Sequence, residues 1–175
     1  MHIMIDIETL ATTPDAVVMS VGAVKFDPTS DQPPTSKTLW RPDIDEQTER
    51  DRHVSESTLE WWSKLPQHIQ DDAFSEDGRI PVVEFMKELN RYCVGADKVW
   101  CQGPQFDMLI LENFYLQWGH HFGWQFWQIM DCRTLFQLMP TDPRKAIQQD
   151  LHSADADAYY QAIGVQQSYQ HFRIK

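Results

Sequence analysis

Long apolar runs are missing from this 175-residue chain. No stretch reaches the roughly 18–20 apolar residues that a membrane-spanning helix needs, so no membrane partner is expected. The opening Met-His-Ile-Met-Ile-Asp carries no basic region and no cleavage site, which argues against a secretory leader. Cysteine is scarce: Cys93, Cys101 and Cys132 are odd in number, lie far apart and form no zinc-ligand spacing. A disulfide framework is therefore not expected, and reduced thiols in a cytoplasmic location are the default. Positive charge is short as well. Fifteen Lys and Arg stand against 26 Asp and Glu, a formal net charge of −11. General nucleic-acid binders carry a basic surface, so any nucleic-acid contact must use a local patch. The objection weakens if several of the acids sit in one cation site. Internal repeats and low-complexity tracts are absent too.

What is present is a globular composition: 42% hydrophobic residues, with seven Trp and nine Phe. The length suits a single domain spanning residues 1–175. In Ile3 to Glu8, Ile3, Ile5 and Ile7 point one way while Met4, Asp6 and Glu8 point the other, which predicts a strand ending in two acids. Val17 to Phe26 and Thr38 to Trp40 extend this into an antiparallel meander. Residues 41–54 are polar and read as irregular. A helix follows Ser55 or Ser57 and stops at Pro66, and another runs from Pro81 to about Tyr92. Lys98 to Cys101 predicts a short strand, Phe106 to Trp118 a helix, Trp124 to Asp131 a further short strand, and Arg133 to Leu138 and His152 to Ile163 helices. Strands first, then helices alternating with short strands, give an α/β mixed sheet with helices packed on it.

Three sets of residues carry chemistry. Asp6 and Glu8 share one strand face, roughly 6–7 Å apart. Two like charges beside a buried apolar run are costly without a positive partner, and a hard divalent cation suits them. Read alone, they are more simply two solvated acids at an exposed strand end. Asp107 follows a strand and a turn, at the carboxyl end where α/β sites tend to lie. Its bland reading is an acid complementing a helix dipole. His152 and Asp157 are five apart, about 140° around an ideal helix, so His152 must precede the helix and Asp157 lie one turn inside. Histidine suits proton transfer near neutral pH. The bland reading is a surface helix with acids near its N-terminus.

Taken together and in order, Ile5-Asp6-Ile7-Glu8-Thr9-Leu10, the run Val99 to Asp107, and His152-Ser153-Ala154-Asp155-Ala156-Asp157-Ala158 resemble the DEDDh class of 3′→5′ exonucleases in the RNase H-like superfamily. The resemblance spans residues 3–162. Ser20 to Pro28 and Thr58-Leu59-Glu60-Trp61-Trp62 look most like compact phage and prophage members. It implies an RNase H-like mixed five-stranded sheet flanked by helices, and two Mg²⁺ or Mn²⁺ ions. By the same resemblance Asp6, Glu8 and Asp157 hold the first ion. Asp6 bridges to a second, supported through water by Asp107, and His152 is the general base. Thr9, Leu10 and Phe106 would contact the terminal nucleotide. The implied substrate is a single-stranded nucleic acid 3′ end, DNA slightly favoured, with nucleoside 5′-monophosphates released. RNA trimming and a non-catalytic module binding nucleic-acid ends are the alternatives. The third motif departs from the pattern by placing Asp155 and then Ala156 before Asp157, so a shifted register through Asp155 is the competing assignment. Gln102 and Pro104 vary the second motif without removing a ligand type.

Other features carry less. His120-His121 are adjacent and do not converge well on a helix. Of Trp61 and Trp62, one is expected in the core and one exposed. Arg41, Arg50 and Arg52 are interleaved with Glu46, Glu49 and Asp51 and read as a solvated loop. The aromatic-rich stretch from Phe114 to Trp127 would bury either the core or an interface, so a homo-oligomer stays open.

Overall fold

In a computed structural model, which describes residues 1–146 and 152–175, the alternation of the first strand sets the layers of the molecule. β1 (His2–Thr9), β2 (Val18–Phe26) and β3 (Thr35–Pro42) form the antiparallel meander. β5 (Lys98–Cys101) joins the other side of β1 in parallel, and β6 (Ile129–Asp131) extends it, also in parallel. Among the described residues the sheet has six strands rather than five, in the order β4-β3-β2-β1-β5-β6. The sixth is β4 (Arg79–Ile80), which pairs with Arg41 and Pro42 at the end of β3. It forms where Gly78, at φ +73°, turns the chain and the Arg79 guanidinium donates to the carbonyls of Met19 and Pro42.

One face of the sheet carries Ile3, Ile5 and Ile7, packed with Phe85 and Leu89 of α4 (Val82–Cys93) and Leu111 and Phe114 of α5 (Asp107–Gln117). The other carries Met4, Val24 and Trp100. They pack against Phe136 of α6 (Cys132–Gln137) and Ala158, Ala162 and Val165 of α7 (Ala154–Phe172). Each such large side chain contributes roughly 1.5–3 kcal/mol by leaving water. A third, smaller cluster seats α2 (Glu56–Trp62) and α3 (Gln67–Ala73) on Leu10, Val17 and Met19. Of the tryptophan pair, Trp62 is 1% exposed and Trp61 44%.

Residues 41–54 depart from the irregular, solvated reading. Asp43 caps α1 (Ile44–Thr48) by accepting from the Glu46 N–H, and both Gln47 and Arg52 are buried. α7 runs well past Ile163, because Gly164, Val165 and Ser168 continue its buried stripe. The three cysteines are free and buried. No helix among the described residues is long and apolar enough to cross a membrane.

Candidate active site

Asp6 and Glu8 lie on the face of β1 that α7 covers, opposite the three isoleucines. Asp6 pairs across the sheet with Gly22 of β2. A Cβ at Gly22 would sit 2.0 Å from the carbonyl carbon of Ala154, so only glycine lets the first turn of α7 rest on β2 beside Asp6. That contact fixes where α7 delivers Asp157 and, one turn later on the same side, Gln161. Asp107 arrives from the opposite layer, at the start of α5 after β5. All four carboxylates and His152 line one cleft of about 370 Å³, together with Gln102, Phe106, Arg133, Arg144, Tyr160 and Gln161.

Burial raises the pKa of all four acids, and repulsion from the other cleft carboxylates adds to it at Asp6 and Glu8. Burial holds Asp6 well above the ordinary carboxylate range, and the neighbouring Asp107, Glu8 and Asp157 add to it. Burial, then Asp157 and Asp107, push Glu8 up to about 8. Asp107 is raised by burial to about 7, against the opposing pull of hydrogen bonds from its own and the Ile7 backbone. Asp157 is also raised by burial, offset in part by the backbone N–H of His152, which donates to its Oδ2 at 2.9 Å. His152 itself adopts φ +70°, the left-handed region that a β-carbon disfavours, a conformation that clusters at functional sites. Its ring packs edge-on to Trp61, with centroids 5.1 Å apart. Glu8, His152 and Asp157 each offer a ligand atom within 4.8 Å of the others, the one such group among the described residues. Asp6 is outside that trio; one of its oxygens, Oδ1, accepts from Gln161 Nε2 at 2.7 Å.

Asp157, rather than Asp155, faces the cleft: Asp155 pairs with Lys37 and accepts from the Ser153 hydroxyl. Phe106 lines the cleft and also a second hollow of about 410 Å³ beside it, formed with Thr9, Thr12, Ser57, Thr58, Trp61 and Trp62. Leu10 does not reach either space. The pairing register with β2 shifts between Glu8 and Thr9, and Leu10 is packed in the core with Trp62. His120 and His121 are not in the ligand group. Arg133, Arg144 and Gln161 belong to the cleft without having stood out in the sequence. Of these only Gln161, four residues after Asp157, follows from helical spacing.

A family model for the 3′-5′ exoribonuclease Rv2179c-like domain matches residues 1–169. The chain belongs to this family of 3′→5′ exonucleases. No curated protein matches it. Among solved structures, the exonuclease is similar to exonuclease X in complex with 5′ overhanging duplex DNA, with a TM-score of 0.64 and 14% identity over 100% of this chain and 95% of that one. At that identity the likeness concerns the fold, an RNase H-like mixed sheet flanked by helices. The donor set of the exonuclease fits hard divalent cations. It offers carboxylate oxygens that repel one another until a positive ion joins them, and a buried Gln161 Oε1 that has no partner among the described residues.

Proposed function

We propose that this exonuclease, with residues 1–175 acting as one catalytic domain, hydrolyses the terminal phosphodiester bond of single-stranded nucleic acid 3′ ends and releases nucleoside 5′-monophosphates. The observation that carries this reading is the convergence of Asp6, Glu8, Asp107, Asp157 and His152 on one cleft, with the carboxyl pKa values raised. Asp6, Glu8 and Asp157 would hold one Mg²⁺ or Mn²⁺, and Asp6 with Asp107 a second. Such ions, when bound, polarise a phosphoryl oxygen, lower the pKa of water and stabilise the leaving 3′ oxygen.

The protein's own groups do the rest. The His152 imidazole takes the proton of the attacking water. Its left-handed backbone aims its N–H at Asp157, which ties the base to the carboxylate beside it. The terminal base enters the neighbouring hollow, where Trp61 and Phe106 offer faces for stacking and Thr9 forms part of the wall. Arg133 supplies local positive charge that a chain of net charge −11 must concentrate somewhere, while Arg144 reaches the cleft paired with Asp142. An unpaired end is favoured because an acidic protein gains little from duplex phosphates.

A second reading, RNA trimming, is favoured by the description of the family as exoribonucleases. A time course on 5′-labelled single-stranded DNA and RNA of one sequence separates the two, with Mn²⁺, with Mg²⁺ and with EDTA. A ladder shortening from the 3′ end only with a divalent cation is expected, and the faster strand names the sugar. No cleavage of either strand by folded protein in Mn²⁺ would sink the reading.

A further inference from the structure

We propose that Gln161 is a positioning residue of this exonuclease, holding Asp6 in the orientation in which its second oxygen receives a divalent cation. The inference rests on the proposed reading of Asp6 as a cation ligand and concerns what makes that ligand ready.

Gln161 is 6% exposed and sits on the sheet-facing side of α7, among Ala158, Ala162 and Val165. An apolar side chain would fill that place without the cost of burying an amide. The other buried glutamines spend their polar atoms on backbone. Gln47 accepts from the Val18 N–H and donates to the Val18 and Asp43 carbonyls, and Gln166 donates to the carbonyls of Asp27 and Gln32. Gln161 differs. Its Nε2 donates to Asp6 Oδ1 at 2.7 Å, and its Oε1 is buried with no partner among the described residues. The amide therefore serves the carboxylate and is itself left incomplete.

The terminal torsion of an aspartate is broad and nearly two-fold, so packing alone does not decide which oxygen faces the cleft. Asp6 has three other carboxylates near it, all repelling it. A donor on Oδ1 breaks the symmetry and leaves Oδ2 for a cation. The leftover Oε1 is an acceptor that the hydration shell of a bound cation would satisfy. Groups standing behind metal ligands in this way typically change metal affinity by roughly 10–100-fold when removed.

The test is Gln161→Met, which keeps length and volume but cannot donate, with Gln161→Asn as a second variant whose amide is one methylene too short. Mn²⁺ affinity is measured by calorimetry without nucleic acid, beside the melting temperature in EDTA. The expected result is an Mn²⁺ Kd raised roughly 10–100-fold, with the melting temperature in EDTA not lowered. On nucleic acid, kcat falls at fixed Mn²⁺ and recovers in part as Mn²⁺ is raised, while KM stays put. Gln161→Asn reports the same effect on Kd if the methionine variant does not fold. Wild-type affinity in a folded variant overturns the inference, as does a Kd that worsens only in step with a fall in the EDTA melting temperature. In both cases the cation reading of the cleft survives. A wild-type protein that binds no Mn²⁺ brings down that reading and the inference with it.

Discussion

Arg52 and Asp6 are both ionisable side chains beside the same sheet, Arg52 buried and Asp6 half-buried at the cleft, and the protein treats them in opposite ways. Arg52, 4% exposed, is surrounded by acceptors. It donates to the Ala16 carbonyl through Nε at 2.8 Å and through Nη2, and to Asn113 Oδ1 and Gln117 Oε1 at 3.1 and 3.0 Å, with its guanidinium over the Phe114 ring. Burial lowers its pKa to about 10, which still leaves it charged at neutral pH. Among the described residues Asp6 has one hydrogen-bond donor from a side chain, Gln161, and three carboxylates around it. A buried charge with its hydrogen bonds complete ties α5 to the loop before β2. A half-buried charge whose neighbours repel it is held unsatisfied by the fold, and what relieves it must come from outside.

The sharpest way to break this contrast is to neutralise each member. Asp6→Asn is expected to reduce cleavage below detection while leaving the metal-free melting temperature unchanged or higher, since it removes a repelled carboxylate and keeps an acceptor for Gln161. Asp157→Asn is expected to do the same. Cleavage assays and melts in EDTA on one preparation check it; a large loss of metal-free stability in either variant would mean that the acids hold the fold together. Next in size is His152→Ala, expected to slow cleavage by roughly 10²–10⁴-fold, the usual contribution of a general base. A rate unchanged across pH would remove His152 from the chemistry.

Arg52→Met is the mirror experiment. It strips donors from buried carbonyl and amide oxygens, and about 3 kcal/mol of stability should go with them. The kcat of whatever stays folded should be little changed. Urea unfolding and a rate normalised to folded protein separate the two. If Arg52→Met lowers kcat without lowering stability, the contrast between a structural and a functional charge fails.

The two sites were not equally legible in the amino-acid order. Asp6 and Glu8 could be read because strand alternation has a period of two and Ile3, Ile5 and Ile7 mark the other face. Asp107 could be read because a strand and a Gly103-Pro104 turn precede it, and Asp157 because its spacing from His152 forbids a shared helical face. Arg52 could not. Glu49 and Asp51 beside it look like its partners, whereas its real partners, Ala16, Asn113 and Gln117, come from distant segments. Leu10 misled for a local reason: the register shift after Glu8 turns it into the core, which simple alternation does not foresee. Gln161 lay at a readable spacing, but an amide carries no chemical signal until its partner is known. Arg133 and Arg144 meet the cleft only through the placement of α6 and the segment after it.

The smallest predicted effect is the most direct reading of the unsatisfied acids. Glu8 and Asp107 are raised to about 8 and about 7, and Asp6 and Asp157 are raised too. In the unfolded chain such groups ionise near pH 4. Between these limits the folded protein holds more protons than the unfolded one. Their contribution to stability is therefore complete below about pH 4 and is lost as pH rises through 7 to 8. The exposed acids with lowered pKa values, Asp15, Asp27 and Asp97, are ionised in both states above pH 5 and do not disturb the upper part of the window. Arg52 titrates far above it, and His2, whose pKa is lowered by burial, opposes the four acids with a single titration. In EDTA the melting temperature should therefore fall by a few degrees from pH 5 to pH 8.5. With Mn²⁺ present the fall should disappear or reverse, because a cation favours the ionised acids and releases their protons. Asp6→Asn should flatten the EDTA profile and Arg52→Met should merely lower it in parallel. An EDTA profile already flat in the wild type would mean that the four carboxylates do not share one buried field, and the opposition between the two sites would rest on hydrogen bonds alone.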